Sequence, residues 1–347
     1  MARKKKILFI GGTTNQTTMM HQIYACLEGD FDCYFSPFYA DGILNLMAKA
    51  GLLEMSLMGK SAYKTNLEYC RKHGLQCDYR GMMHDYDLVF QCNDVIFPNN
   101  LRNKQIILVQ EGTLMPKDWR YQLVKRLKLP LYLGDTAMFG LSHAYQYLCV
   151  ASGGYKEEFI SRGVKPERIR VTGIPNFDDA EKYKNNDFPH RDFVLAATSN
   201  LRESKRFEDR PAFIQKAKNI AAGRPLIFKL HPRENHERAI REIKQYAPGC
   251  PIYTSGKIEE MIANCTELVA DFSSVILVAA ALNKKVYSEQ YTPEKIAKLS
   301  PLQNGGTSAH FIASLGRELL QNLANPTQCQ QLQHSSRYQP STVLIQN

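Results

Sequence analysis

The chain contains no apolar run long enough to cross a bilayer as a helix. Its basic start, Met1 to Lys6, is followed only by Ile7-Leu8-Phe9-Ile10, too short for the apolar segment of a signal peptide. Both absences lead to the expectation of a cytoplasmic protein. No two of the nine cysteines form a CxxC pair, so neither a zinc ribbon nor a small disulfide scaffold fits. Reduced, buried, small apolar cysteines are expected instead. There is no helix-turn-helix, RNA-binding or zinc-finger pattern, and nucleic acid is not an expected partner. A complete GxGxxG is missing too, which leaves a dinucleotide site weakly supported. No internal sequence repeat is present.

What remains is a chain of 347 residues, 44% hydrophobic, enough for two domains with sizeable cores. The net charge of +10 is spread along it: 22 Lys/Arg against 18 Asp/Glu in residues 1–180, and 22 against 16 in residues 181–347. A diffuse positive excess suits an anionic ligand or an anionic membrane surface.

Short apolar runs alternate with helical stretches. Runs at 6–10, 32–37, 87–91, 105–109, 147–151 and 168–172 read as strands of a first domain, residues 1–180. Polar residues 181–192 read as a linker. The pattern restarts at Phe193, with runs at 193–197, 226–230, 252–253, 268–271 and 285–287 forming a second domain, residues 193–327. Strand–helix alternation twice over predicts two doubly wound α/β domains, with a hinge near 174–192 and a cleft between them. The Gln-rich tail, 328–347, carries little pattern.

Several strand ends carry chemistry. Lys229-Leu230-His231-Pro232-Arg233 closes the 226–230 strand, and Asp271-Phe272-Ser273-Ser274 closes the 268–271 strand. Ligands of open parallel sheets sit outside the carboxyl ends of strands. Hydroxyls and unspent N–H groups at a helix start suit an anion, and an imidazole adds a donor or a positive charge. The plainer reading is a Pro-held histidine and an ordinary serine cap. Thr198-Ser199-Asn200-Leu201-Arg202 suits a phosphate or ribose, or is a polar loop with a solvated arginine, and Arg233 has the same two readings. Glu111-Gly112 ends the 105–109 strand. It offers a general base beside a glycine that lets a ligand approach, or a capping glutamate. Gly11-Gly12-Thr13-Thr14-Asn15 is a glycine turn after the first strand, either facing a cleft or simply tight. Asp118 to Leu129 is a basic amphipathic helix in which Trp119, Leu123, Val124 and Leu127 share a face. It covers its own sheet or lies on an anionic membrane. Two Asp-x-Asp pairs, 30–32 and 85–87, read as solvated strand entries, and no metal site is expected.

The order of these motifs resembles the GT-B glycosyltransferase superfamily: glycine turn, Glu-Gly strand end, Val-Thr-Gly-Ile-Pro-Asn exit, Lys-Leu-His-Pro, Asp-Phe-Ser-Ser. Within it the chain is similar to bacterial enzymes with cytidine-nucleotide donors, namely sialyltransferases, capsule Kdo transferases and CDP-glycerol transferases. The resemblance implies two Rossmann-like domains facing a central cleft. It also implies a metal-independent, inverting transfer from a nucleotide sugar, without further cofactor, to a glycan or lipid-linked glycan. Glu111 would be the base. His231, Ser273 and Ser274 would hold the donor phosphate with Arg202 and Arg233, and Gly11, Gly12, Thr13 and Asn15 would face the acceptor. His231 would also stabilise the leaving group. Peripheral contact with the inner face of the membrane goes with a lipid-linked acceptor. Gln110 replaces the first acid of the family's paired-acid motif. The same segments also resemble non-hydrolysing UDP-N-acetylglucosamine 2-epimerases. The chain has Thr198 to Glu203 and Asp271 to Ser274 where those enzymes carry His-Arg-Arg-Glu-Asn and Asp-Ser-Gly-Gly.

Overall fold

A computed structural model describes residues 3–324 except Met55, Ser204, Lys205 and Phe272. The tail 328–347 therefore lies outside the described residues. In chain order the first elements are β1 (Lys6–Gly11), α1 (Thr14–Ala25), β2 (Asp32–Pro37), α2 (Gly42–Lys49), α3 (Lys60–Lys72), β3 (Leu88–Gln91), β4 (Gln105–Val109), α4 (Trp119–Leu127), β5 (Tyr147–Val150), α5 (Gly153–Arg162) and β6 (Ile169–Val171). Then come β7 (Val194–Ala197), α6 (Arg210–Ala221), β8 (Leu226–Lys229), α7 (His236–Tyr246), β9 (Ile252–Tyr253), α8 (Ile258–Asn264), β10 (Glu267–Val269), α9 (Val275–Ala281), β11 (Lys285–Tyr287), α10 (Pro293–Leu299) and α11 (Ser308–Ala324).

The strands form a six-stranded sheet in the order β2-β1-β3-β4-β5-β6 and a five-stranded sheet in the order β11-β10-β7-β8-β9. β1 pairs in parallel with β2 and β3, and β7 pairs in parallel with β8 and β10. Parallel neighbours need a crossover, which the intervening helices supply. In each sheet the strand order reverses once, at β1/β3 and at β7/β10. Such reversals open a crevice at the carboxyl ends of the strands.

Strand cores follow from apolar runs buried on both faces. Ile7, Leu8, Phe9 and Ile10 are all buried, and Phe9 stacks on Phe35 and Phe90 with ring centroids 5.2 Å away in both cases. In the second sheet, Val194, Ala196, Phe228 and Val269 pack with Ile214 and Ala217 of α6 and Ile243 of α7.

Contacts group the chain into two compact units. One holds residues up to Gln91, Phe97–Ile107 and the described residues from Ala309 onward; the other holds Cys92–Ile96 and Leu108–Ser308. The polar stretch 181–192 lies in the second unit and contains part of a 3-10 turn, Ala180–Lys184. The sequence pattern marked neither α10 nor α11. Within the first unit α11 lies close on β3: a Cβ on Gly316 would fall 2.8 Å from Phe90 and 3.0 Å from Leu88. Arg317 pairs with Asp30 at 2.8 Å.

The aspartates of both Asp-x-Asp pairs sit at strand entries, as expected, and their charges are used there. Asp32 meets Lys4 and Lys6, Asp85 meets Lys104, and Asp87 meets Lys5. α1 starts three residues earlier than the pattern placed it. The Thr13 hydroxyl accepts the Gln16 N–H at 3.1 Å and the Gln16 side chain reaches back, a reciprocal cap. Asn15 is thus a first-turn helix residue.

Candidate functional site

In the second unit, the strand-end motifs sit where the sheet directs them. β4 ends at Val109, and Gln110 follows, 1% exposed. Its N–H donates to Cys149 O at 3.0 Å, its Oε1 accepts from Ala151 N at 3.0 Å, and its Nε2 donates to Gly112 O at 2.7 Å. An ionised acid has no proton for the last bond. This accounts for glutamine at 110: its amide ties the Glu111-Gly112 turn to the end of β5. Glu111 is half-buried beyond the strand. Burial first, and the Glu111 charge second, push the nearby Cys92 thiol well up from its ordinary value.

The Glu-Gly turn meets the Ser-Ser turn. A Cβ built on Gly112 would lie 3.0 Å from the Ser274 Cβ and 3.9 Å from its hydroxyl. Glycine lets the two turns approach this closely. Gly112→Ala should therefore push the Ser274 turn aside at a cost of about 1–3 kcal/mol, and Ser274→Gly on the same chain should restore the loss. Thermal melts of both variants check this; a Gly112→Ala chain as stable as the parent would contradict it. Ser273 Oγ accepts the Val275 N–H at 3.4 Å, whereas the Ser274 hydroxyl makes no cap bond with α9. Asp271 is occupied by Lys216 and the Glu289 N–H, each at 3.0 Å.

β7 separates β10 from β8, so the Ser-Ser and His-Pro turns stand about two strand spacings, roughly 10 Å, apart along one edge. His231 is half-buried, and its Nδ1 accepts the Arg233 N–H at 3.1 Å. Burial, then the Arg233 charge, lower its pKa from 6.5 to about 4. At neutral pH the ring is uncharged, and because Nδ1 accepts, the proton sits on Nε2. Held this way, the neutral ring carries its N–H at Nε2. Between about pH 6.5 and about pH 4 the unfolded chain takes up a proton that the folded one refuses, so stability falls as pH falls through that window and is unaffected above it.

The turn is held from behind by residues the sequence reading did not single out. Glu234, buried, accepts the His231 N–H at 2.8 Å and the Thr198 hydroxyl through Oε1; its Oε2 takes Arg210 at 2.9 Å. Arg210, also buried, meets Glu208 at 3.0 Å. The signal available was a glutamate three residues after the His-Pro histidine, but nothing in the chain marked Arg210 as its partner. Arg202 is clamped by Glu242 through two bonds of 2.8 Å and lies 3.2 Å from Glu208. Arg233 is exposed.

In the first unit, Gly11 and Gly12 close β1 against α1. A Cβ on Gly11 would collide with the Thr17 hydroxyl, and Gly12 O accepts from Asn66 at 2.7 Å. Of the sequence-predicted residues, the structure thus brings Gly112, beside Glu111, against Ser274, lines up His231 and Ser273 on one sheet edge, and places Gly11, Gly12, Thr13 and Asn15 at the β1 crevice. Among the described residues no group of three or more His, Cys, Asp or Glu is placed to hold a metal, and no helix is long and apolar enough to cross a membrane.

No family model matches the sequence, and no curated protein matches it. Solved structures do match in fold. The UDP-GlcNAc 2-epimerase from Neisseria meningitidis bound to UDP-GlcNAc superposes with a TM-score of 0.57 at 12% identity, over 90% of this chain and 100% of that one. The wall teichoic acid polymerase TagF gives 0.52 at 13% identity, over 93% and 90%. A UDP-N-acetylglucosamine 2-epimerase from Listeria monocytogenes, described as putative, gives 0.52 at 14%, over 92% and 89%. The class defined by these likenesses and by the two parallel sheets is the GT-B fold. At such identities the likeness establishes the architecture alone.

Proposed function

We propose that the chain is a glycosyltransferase that moves a sugar from a nucleotide donor, cytidine- or uridine-linked, to a glycan or lipid-linked glycan hydroxyl. The supporting observation is the meeting of the Glu111-Gly112 and Ser273-Ser274 turns, with Gly112 room-limited by Ser274 at 3.0 Å. The turn that carries Glu111 and the turn that carries Ser273 and Ser274 are thereby neighbours at the ends of parallel strands. In this reading Glu111 removes the acceptor proton as the hydroxyl attacks the anomeric carbon, and the donor phosphate leaves with inversion. His231 Nε2–H, Ser273 and Ser274 donate to the departing phosphate, where fixed donors act most strongly. Arg233 adds charge. Arg202 would join only by exchanging Glu242 for phosphate. In the same reading no metal takes part, and the protein works at the cytoplasmic face of a membrane.

Donor binding tests this directly. CMP, CDP, UDP and GDP are titrated by calorimetry against the parent, His231→Ala and Ser273→Ala. Loss of a hydrogen bond to a charged group, about 1.5–3 kcal/mol, weakens affinity roughly tenfold to a hundredfold. Unchanged affinity and unchanged turnover in both variants remove these residues from the site. The epimerase reading draws on the fold likeness with a TM-score of 0.57. It predicts an epimerised sugar nucleotide from UDP-GlcNAc in the absence of any acceptor, which the transferase reading does not.

A further inference from the structure

α4 turns its two sides to different surroundings. Tyr121 and Val124 are buried, packing with Ala137 and Met138. Val124, grouped by the sequence pattern with the apolar face, thus points inward. Trp119, Leu123 and Leu127, spaced at successive helical turns, stay 69%, 43% and 57% exposed. Tyr132 and Leu133 of the following turn are exposed as well. Arg120 and Arg126 border this stripe on its two sides, as 3.6 residues per turn requires, and Lys128 ends the helix exposed. Arg120 lies 5.6 Å from the Trp119 ring. Lys125 is drawn inward to Arg162 O at 3.0 Å, and Asp118 is taken up by Arg206 at 3.0 Å.

We propose that this outer face of α4, extended by Tyr132 and Leu133, docks on an anionic lipid bilayer. An apolar stripe with arginines along its edges is the pattern of a helix lying in the headgroup region, apolar side chains down and cationic heads at the phosphates. A second copy of the chain fits less well. A twofold contact would set each arginine-edged stripe against its like, and like charges oppose that, whereas anionic lipid accepts both edges. The proposal rests on the reading of a membrane-linked acceptor, which gives the contact its purpose; the surface itself is read from exposure and charge.

The test uses the intact protein, and Trp119 is the only tryptophan in the chain, so its emission reports this face alone. Vesicles of phosphatidylcholine with and without phosphatidylglycerol are added at low salt, and both co-sedimentation and emission are followed. The expected result is partition into the anionic vesicles only, with Trp119 emission moving to shorter wavelength and the effect shrinking as salt is raised. Arg126→Gln should weaken partition about fivefold, the worth of one basic residue near such a surface. Trp119 also borders a cavity of about 330 Å³ with Met115, Phe207 and Gln290. A shift with soluble nucleotide or sugar and none with lipid therefore assigns the ring to that cavity and overturns the proposal. So do a shift that grows with protein concentration in the absence of lipid, partition without any shift, and no partition at low salt. No donor or acceptor is present, so failure here leaves the nucleotide site standing, and failure of the transferase reading leaves this surface standing.

Discussion

Glu111→Gln lowers transfer by about two to four orders of magnitude while the protein stays folded, if this carboxylate takes the acceptor proton. Glutamine keeps the shape and the half-buried setting beyond β4 and removes the charge, and with it the ability to accept a proton. Gln110 supports the turn independently: the hydrogen bonds its side chain makes with Ala151 N and Gly112 O do not involve the residue 111 side chain. The rival role is structural. A glutamate that only holds the turn gives lower stability and near-normal turnover of the folded fraction. Single-turnover transfer recorded beside a melting curve separates the two, and a folded Glu111→Gln chain with parental transfer ends the base assignment.

Glu234→Ala should have the largest effect on stability. One carboxylate accepts the His231 N–H, the Thr198 hydroxyl and the Arg210 guanidinium, and both Glu234 and Arg210 are buried. Removing one partner of a buried pair leaves the other charge uncompensated, at a cost of about 3–5 kcal/mol. Glu208 remains 3.0 Å from Arg210, which places the expected loss toward the lower end. Glu234→Gln keeps the acceptor for His231 and Thr198 but not the charge, so its loss is smaller. Denaturation followed by circular dichroism, alongside nucleotide affinity of the folded fraction, checks both parts. A Glu234→Ala midpoint equal to that of the parent would show that the network contributes nothing. A lower midpoint with parental nucleotide affinity would show that it supports the fold and does not position His231.

The strands were legible because parallel strands buried on both faces leave unbroken apolar runs. Ile7 to Ile10, Ile106 to Val109 and Val194 to Ala197 are buried throughout. The strand ends were legible for the same reason: where such a run stops at Glu-Gly, His-Pro or Ser-Ser, the chain has left the sheet on its carboxyl side. Element type and the location of candidate chemistry are thus local properties, carried by consecutive residues.

Partnership is not local. That a Cβ on Gly112 would fall 3.0 Å from the Ser274 Cβ depends on strand order, which no single run records. Whether Arg202 meets Glu242 or stands in solvent, and whether Nδ1 or Nε2 of His231 carries the proton, are settled by groups that approach only once the chain has folded. The same holds for α4, where the sequence shows an amphipathic helix but its packing on Ala137 and Met138 decides that Val124 is covered and Trp119 is not. The sequence by itself determined the two series of strands, their polar ends and the diffuse positive charge. Only the tertiary structure decided which ends meet, which charges are already neutralised and which face of a helix remains outside, because each of these is set by distances between residues far apart along the chain.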